Sequence, residues 1–189
     1  MQHYVEGKTF KNEDYSQIFF KSGVYEHCTF LACIFANVDI TNSDFSDCIF
    51  EHCDLSMAVL KGVRFRETTF KSCKMLGLRF DECNPFLLAF NFESCLLNFS
   101  CFYKLKLKGT HFQHCKLQEV DFTETELTKA VFADCDLSKT TFFHTILEQA
   151  DFSTAFGFSI DPENNRLQKA TFSAQNIIGL LDKYQIKIV

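Results

Sequence analysis

An apolar residue recurs at every fifth position along most of this 189-residue chain. A period of five does not match the 3.6 residues per turn of an α-helix, because the apolar positions would drift around the helix surface. Helical repeats are therefore excluded. In the first half the recurring residues, called centres below, are Phe30, Phe35, Ile40, Phe45, Phe50, Leu55, Leu60, Phe65, Phe70, Met75 and Phe80. In the second half Phe and Leu alternate at Phe92, Leu97, Phe102, Leu107, Phe112, Leu117, Phe122, Leu127, Phe132, Leu137, Phe142, Leu147 and Phe152.

A second inward series, made mostly of small residues, lies two positions before the centres. Cys28, Val38, Ala58, Thr110 and Ala130 are typical members. Inward, outward, inward is the alternation of a β-strand, and strands this short are stable only when neighbouring coils pair with them. Four faces per coil set Phe opposite Phe and Leu opposite Leu. The sequence thus predicts an all-β fold: a right-handed, four-sided parallel β-helix of about 20 residues per coil.

The cysteines follow the same period, since nine of the ten fall at the small inward position and only Cys101 falls outward. A coil of about 20 residues stacks Cys33, Cys53 and Cys73 in one ladder, and Cys95, Cys115 and Cys135 in another. We interpret them as small hydrophobic side chains that fill a narrow core. No apolar signal segment is found in residues 1–10 and no membrane-spanning run occurs, so we expect a cytoplasmic protein with reduced thiols.

Repeats of the form small, polar, Leu or Phe, polar, polar are the signature of the pentapeptide repeat family. Residues 130–134 (AVFAD) and 150–154 (ADFST) show the pattern. The resemblance covers about residues 18–154 and implies the same β-helical fold.

The tail resembles the C-terminal ends of the Qnr quinolone-resistance proteins and the McbG immunity protein. It has a helix predicted to begin at Ser173, then a final strand at residues 186–189. In those relatives the helix and strand form the dimer contact, so the resemblance implies a homodimer. The predicted helix carries Ile177, Ile178, Leu180 and Leu181. Those relatives and the MfpA type bind DNA gyrase or topoisomerase IV as mimics of DNA, which implies a type II topoisomerase as the protein partner.

The chain divides into three segments. Residues 1–17 fit the repeat poorly and are expected to cap the first coil, residues 18–154 form the β-helix, and residues 155–189 form the link, helix and terminal strand. The repeat changes phase by two residues at 82–91, where Pro85 cannot donate a ladder hydrogen bond and Phe90 is too large for the small position. Two interpretations stay open: a kink in the array, or the functional loop that emerges at this point in Qnr proteins.

Charge is distributed in bands along the chain. Residues 22–60 hold six acidic residues and no Lys or Arg, residues 61–116 hold ten basic against four acidic, and residues 117–153 hold eight acidic against two basic. A mimic of DNA needs an acidic surface, so the last band supplies the candidate partner-binding residues, although an ordinary solvated surface has the same composition. These are Asp121, Glu124, Glu126, Asp134, Asp136 and Asp151.

Catalytic and metal-binding patterns are weak. In the pairs His27-Cys28, His52-Cys53 and His114-Cys115 each Cys points inward while each His points outward, so the two cannot share a metal. No phosphate-binding or hydrolase motif occurs. We therefore expect no enzymatic activity, no cofactor and no direct binding of nucleic acid or membrane. The two functional hypotheses are a DNA mimic that protects a topoisomerase from quinolones or a peptide toxin, and a structural or regulatory scaffold with an unrelated partner.

Overall fold

The chain forms short strands that pair only in parallel, as seen in a computed structural model that describes residues 3–187. Three short 3₁₀ helices are present in the same range, Phe80–Glu82, Ile177–Leu180 and Asp182–Tyr184. The strands are β1 (Tyr4–Glu6), β2 (Thr9–Lys11), β3 (Val24–Glu26), β4 (Thr29–Leu31), β5 (Asp44–Ser46), β6 (Ile49–Glu51), β7 (Arg64–Arg66), β8 (Thr68–Lys71), β9 (Phe90–Glu93), β10 (His111–Gln113) and β11 (Val131–Ala133).

The strands build the faces of a four-sided solenoid. Face 1 carries the sheet β1-β3-β5-β7, and face 2 carries β2-β4-β6-β8-β9-β10-β11. Faces 3 and 4 follow in chain order and consist of single bridges, such as Ile34 to Asp54 on face 3 and Cys101 to Asp121 on face 4. Partners such as Phe112 and Phe132 are twenty residues apart. The predicted right-handed, four-sided parallel β-helix of about 20 residues per coil is confirmed.

The centres fill the core, and all thirteen predicted positions from Phe92 to Phe152 are at most 6% exposed. On face 2, phenyl rings stack with centroids 4.7 to 5.4 Å apart, and these rings are Phe10, Phe30, Phe50, Phe70, Phe92, Phe112, Phe132, Phe152 and Phe172. Rings on face 4 meet them edge to face, as Phe122 meets Phe112 at 5.8 Å and 77°. Parallel stacking along the axis and edge contacts across it are both favourable aromatic geometries.

The residue at the small inward position makes hydrogen bonds in addition to filling the core. Thr125 Oγ1 donates to the backbone oxygen of Phe102 at 2.8 Å, and Cys53 Sγ contacts that of Phe30 at 3.2 Å. Each acceptor belongs to the preceding coil and would otherwise remain without that partner inside the core. A small residue with a hydroxyl or thiol therefore suits this position better than a purely apolar one.

The corners turn through left-handed backbone. Most non-glycine residues two positions after the centres have φ between 47° and 65°, among them Ala32, Phe99 and Lys129. Their amides donate to the next coil, as Lys129 N does to Glu148 O at 2.9 Å. This conformation costs an L-residue about 1 to 2 kcal/mol, which the ladder hydrogen bonds and core burial offset.

Two extra residues lie on face 1 between Phe80 and Phe92. Bridge partners are twenty-two residues apart across this segment, as in Phe70 to Phe92, but twenty on either side of it. Phe90 is 2% exposed and packs against Phe80 at 5.3 Å, so its ring fills the core on a coil that lacks a regular face 1 centre. Phe86 and Leu87 project outward.

The same two residues bring the cysteines into one column. Lys74 pairs with Leu96, which places Cys95 directly after Cys73. The two predicted ladders therefore form one continuous column of buried thiols: Cys33, Cys53, Cys73, Cys95, Cys115 and Cys135.

Each end of the solenoid has its own structure. At the start, β1 pairs with β3 and β2 with β4, so residues 3–17 form the first coil. At the other end the ladder runs beyond residue 154, because Asp151 bridges Thr171.

The predicted C-terminal α-helix is wrong. Residues Ile177–Leu180 and Asp182–Tyr184 are 3₁₀ helices with hydrogen bonds to the third residue back, such as Leu181 N to Ile178 O at 2.9 Å. Gly179 explains the difference: its carbonyl accepts from Ile160 N at 2.9 Å, and a side chain there would collide with Phe158. Close contact with the last coil thus holds a segment too short to form a stable α-helix on its own.

The residues around these turns cover the last coil. Ser173 Oγ accepts from Asn176 N at 3.2 Å within the preceding turn, but the residue before the first 3₁₀ helix is Asn176, so Ser173 is not its N-terminal cap. The Asn176 side chain donates to the backbone oxygens of Phe152 at 2.6 Å and Ala155 at 2.9 Å. Ile186 and Lys187 form no strand, and the remainder of the predicted terminal strand, residues 188–189, lies outside the described residues.

Candidate protein-binding surface

The six candidate acidic residues do not share one face. Glu126 lies on face 1, Asp151 on face 2, Asp136 on face 3 and Asp121 on face 4, each at the outward position before a centre. Glu124 and Asp134 occupy left-handed corners with φ of 56° and 52°. The acidic residues at the outward positions therefore surround the rod, and one partner surface can contact only some of them.

Three of these carboxylates also shape the backbone. Asp121 accepts from Thr123 N at 2.8 Å, Asp136 from Ser138 N at 3.0 Å and Asp151 from Ser153 N at 2.8 Å. An aspartate that binds the amide two residues later stabilises a turn. Asp54 and Asp39 make the same contact in the first half. Aspartate at this position is thus explained locally, without a partner.

Asp136 has a further set of contacts. Its burial raises the pKa of the carboxyl group, but hydrogen bonds from Ser138 and Gln118 and the charge of Lys116 outweigh that effect and lower it overall. Gln118 Nε2 donates at 2.7 Å and Ser138 Oγ at 2.6 Å. Asp136 is therefore held as an ion by its own neighbours.

One corner of the rod collects three of the acidic residues. Asp121, Glu124 and Glu126 follow one another from face 4 around to face 1. Within residues 3–187 the Glu126 side chain makes no hydrogen bond or ion pair. Asp134 and Asp136 lie around the diagonally opposite corner, between faces 2 and 3.

Two exposed aromatic residues flank Glu124. Tyr103 and Phe143 take the same outward position in the coils before and after Thr123, and they are 36% and 46% exposed. Tyr103 Oη donates to Glu124 at 3.2 Å, and Glu124 N donates to Phe143 O at 2.8 Å. We call Tyr103, Asp121, Glu124, Glu126 and Phe143 the acidic-aromatic edge. Sequence reasoning missed both rings, although an aromatic residue at an outward position was the available signal.

The basic band is partly compensated by the acidic bands beside it. The carboxylate of Asp44 is buried and lies 2.7 Å from Arg66 and 3.8 Å from Arg64. Lys74 lies 3.2 Å from Asp54 across the same boundary. At the other boundary Lys104 lies 3.4 Å from Glu124. Because residues twenty apart are neighbours, bands that are separate along the chain meet as ion pairs on adjacent coils.

The C-terminal segment exposes an apolar patch. Ile177 and Ile178 are each 49% exposed and Phe156 is 52% exposed, whereas Leu180 and Leu181 are half-buried. Of the four predicted contact residues, the two isoleucines are thus the more available to a partner.

Across residues 3–187 no three or more His, Cys, Asp or Glu side chains converge on one point where they could hold a metal ion together. No helix in the described part of the chain is long and apolar enough to span a membrane.

Comparisons with known proteins agree with this architecture. The model of the "Pentapeptide repeat region" matches residues 43–113, and that of "Pentapeptide repeats (8 copies)" matches residues 26–56 and 106–142, so the two together reach from 26 to 142. No curated protein sequence matches the chain.

Solved structures extend the likeness to the whole length. A trypsin-treated variant of QnrB1, a plasmid-mediated fluoroquinolone resistance protein, superposes with a TM-score of 0.67 at 15% identity and covers 100% of both chains. Full-length QnrB1 gives 0.65 at 14% identity over 97% of this chain and 100% of that one. HetL, a protein of heterocyst differentiation from the cyanobacterium Nostoc, gives 0.48 at 16% identity over 90% and 86%. At 14 to 15% identity, the likeness to the QnrB1 structures establishes the fold alone.

Proposed function

Because this chain belongs to the pentapeptide repeat proteins, we propose that it is a non-enzymatic scaffold that binds a type II topoisomerase, DNA gyrase or topoisomerase IV, through the acidic-aromatic edge. The protein works in the cytoplasm, where its ten free cysteines stay reduced. Binding occupies the enzyme surface that otherwise holds DNA, which protects the enzyme from quinolones or a peptide toxin.

The composition of the acidic-aromatic edge carries this proposal. Carboxylates on a convex rod present negative charge in the way that duplex phosphates do, which steers the rod toward a basic groove. Exposed aromatic residues supply the apolar contact on which binding energy is concentrated in protein interfaces. Tyr103 and Phe143 lie on either side of Glu124, so both kinds of contact are available at one corner.

The charge pairs favour the C-terminal half for this contact. Asp44 and Asp54 of the first acidic band are neutralised by Arg66 and Lys74. Glu126 makes no ion pair within residues 3–187. The ion pair of Glu124 with exposed Lys104 contributes little in water. The rod is therefore a partial mimic of DNA, with one active corner.

A second copy docks at the C-terminal end in this proposal. The exposed patch of Phe156, Ile177 and Ile178 supplies the apolar surface. Two copies joined there place two acidic-aromatic edges at the same distance on either side of the contact. Replacing Ile178 with Asp should convert the dimer to a monomer in light scattering, whereas Lys129→Ala should not. A wild-type monomer would refute this arrangement.

A supercoiling assay tests the proposed partner. Purified protein is added to DNA gyrase with and without ciprofloxacin, next to the double variant Glu124→Gln, Glu126→Gln and the matched variant Asp134→Asn from the opposite corner. We expect wild type and Asp134→Asn to inhibit supercoiling or protect it from the drug, and the double variant to do neither. If wild type does neither, and a parallel assay with topoisomerase IV agrees, the chain is a scaffold for an unrelated partner.

A further inference from the structure

Six cysteines form one uninterrupted column inside the solenoid. Each of them, from Cys33 to Cys135, is at most 2% exposed, and all six are free thiols. The other small inward columns hold at most two cysteines each, among residues such as Ser, Thr, Ala and Val, so a run of six identical thiols belongs to the column before face 3 alone. A packing role requires only a small side chain, which Ala and Thr supply elsewhere.

Neighbouring cysteines in this column lie close together. The backbone N of Cys33 lies 3.4 Å from Cys53 Sγ. The thiols of Cys53 and Cys95, together with burial, raise the pKa of Cys73 well above the ordinary range, whereas the thiols of Cys135 and Cys95 lower the pKa of Cys115. The column is therefore a chain of six interacting sulfurs with five intervals between them.

The interval length matches a linear bridge between two sulfurs. Beside the five intervals, ring centroids on successive coils of the adjacent face are 4.7 to 5.4 Å apart. Two metal-sulfur bonds of about 2.3 Å in line span about 4.6 Å. A two-coordinate ion thus fits between successive coils without separating them. Tetrahedral ions such as zinc need more ligands than one interval offers.

We propose that the cysteine column binds soft monovalent cations of the Cu(I) or Ag(I) class, one ion between each pair of successive sulfurs. Thiolate and thiol sulfur are the ligands that such ions prefer. Each ion replaces one thiol proton, which leaves to solvent, and a lone pair of the next sulfur completes the linear pair. One positive charge enters as one leaves, so no net charge is buried in the core.

The open first coil offers an entry route. Asp14 bridges Ile34, so Glu13 stands in the same column directly before Cys33. Glu13 is half-buried at the end of the rod. Its carboxylate attracts a cation to the end of the column, from which the ion passes from sulfur to sulfur.

Titration with Ag(I) under reducing, oxygen-free conditions tests the proposal. Native mass spectrometry counts the ions bound to the folded protein, and a pH indicator counts the protons released. The informative variant is Cys73→Thr, because threonine takes the equivalent position at Thr68 and Thr125 with its hydroxyl bonded to the preceding coil. The matched control is Cys101→Ser, which removes an outward thiol.

We expect one proton per ion, five ions in the column, and a loss of two ions in Cys73→Thr, because two intervals disappear with one sulfur. Cys101→Ser should lose at most one ion. Loss of a single ion in both variants, or binding only after circular dichroism shows unfolding, would overturn the column site. Glu13→Gln should slow uptake without changing the final count, and an equal rate would contradict the entry route.

Discussion

Phe112 and Phe132 stack with ring centroids 5.0 Å apart and ring planes 1° from parallel. They come from paired strands β10 and β11. The backbone register and the ring register therefore agree, so the position of each phenyl ring is specified by its neighbours above and below. A rod built in this way depends on every coil, because the loss of one ring leaves both neighbours without a contact face.

The aromatic column predicts a large difference between adjacent residues. Phe132→Ala should lower the free energy of unfolding by about 3 to 5 kcal/mol, since it leaves a cavity between Phe112 and Phe152. Val131→Ala, on the outward side of the same strand, should cost about 0.5 kcal/mol. Urea unfolding followed by circular dichroism measures both. Similar losses would contradict the assignment of inward and outward positions.

The buried ion pair predicts a second contrast. Asp44→Asn should destabilise the rod by about 2 to 3 kcal/mol, because Arg66 and Arg64 lose the carboxylate that compensates them. The expected loss of stability is smaller than for a fully buried pair, because Arg66 is 34% exposed and water screens part of its charge. Asp47→Asn, at an exposed corner three residues later, should change stability by less than about 0.5 kcal/mol. Thermal melts of the two variants side by side give the comparison.

The left-handed corners predict that glycine stabilises where alanine does not. Lys129 has φ of 62° and is exposed. Lys129→Gly should raise stability by about 0.5 to 1 kcal/mol, because relief of the backbone strain exceeds the entropy cost of glycine. Lys129→Ala should change it little, since alanine keeps the same strain. Equal melting temperatures for the two variants would count against a strained corner.

Asp136 predicts a dependence on pH. Its pKa is lower in the folded protein than in the unfolded chain, because the hydrogen bonds and charge around it outweigh its burial. Its contribution is therefore complete above the unfolded value of about 3.9 and is lost as the pH falls through the lower folded value. Between about pH 5 and pH 2, Asp136→Asn should lose less stability than wild type in urea titrations. Parallel losses would show that Asp136 has no such role.

The period of five and the alternation of Phe and Leu were sufficient to predict the fold, because a coil of four five-residue faces brings all these residues inside and sets Phe opposite Phe. They were not sufficient for the phase change. The sequence places Cys73 and Cys95 in separate ladders, because it does not show on which face the two extra residues around Pro85 are accommodated. In the structure face 1 accommodates them, so the alignment of the other faces continues and the two ladders join.

The candidate surface was harder to predict for a physical reason. Outward residues are constrained by neighbours twenty residues away, which a linear reading of charge does not reveal. The sequence places Asp44 among the surface charges, but its carboxylate is buried and pairs with Arg66. It offers Asp136 as a partner-binding residue, but the carboxylate of Asp136 stabilises its own turn. The prediction of a C-terminal helix was wrong because the spacing of apolar residues cannot show that the backbone of Gly179 lies against Phe158.

The most direct test of the account is the affinity of the purified protein for immobilised DNA gyrase, measured for wild type, the double variant Glu124→Gln, Glu126→Gln, and Asp134→Asn. The account predicts that the double variant binds at least about tenfold more weakly, a loss of about 1.4 kcal/mol, that Asp134→Asn binds like wild type, and that salt weakens the wild-type complex. Equal binding by all three proteins, or no binding by any, would contradict it.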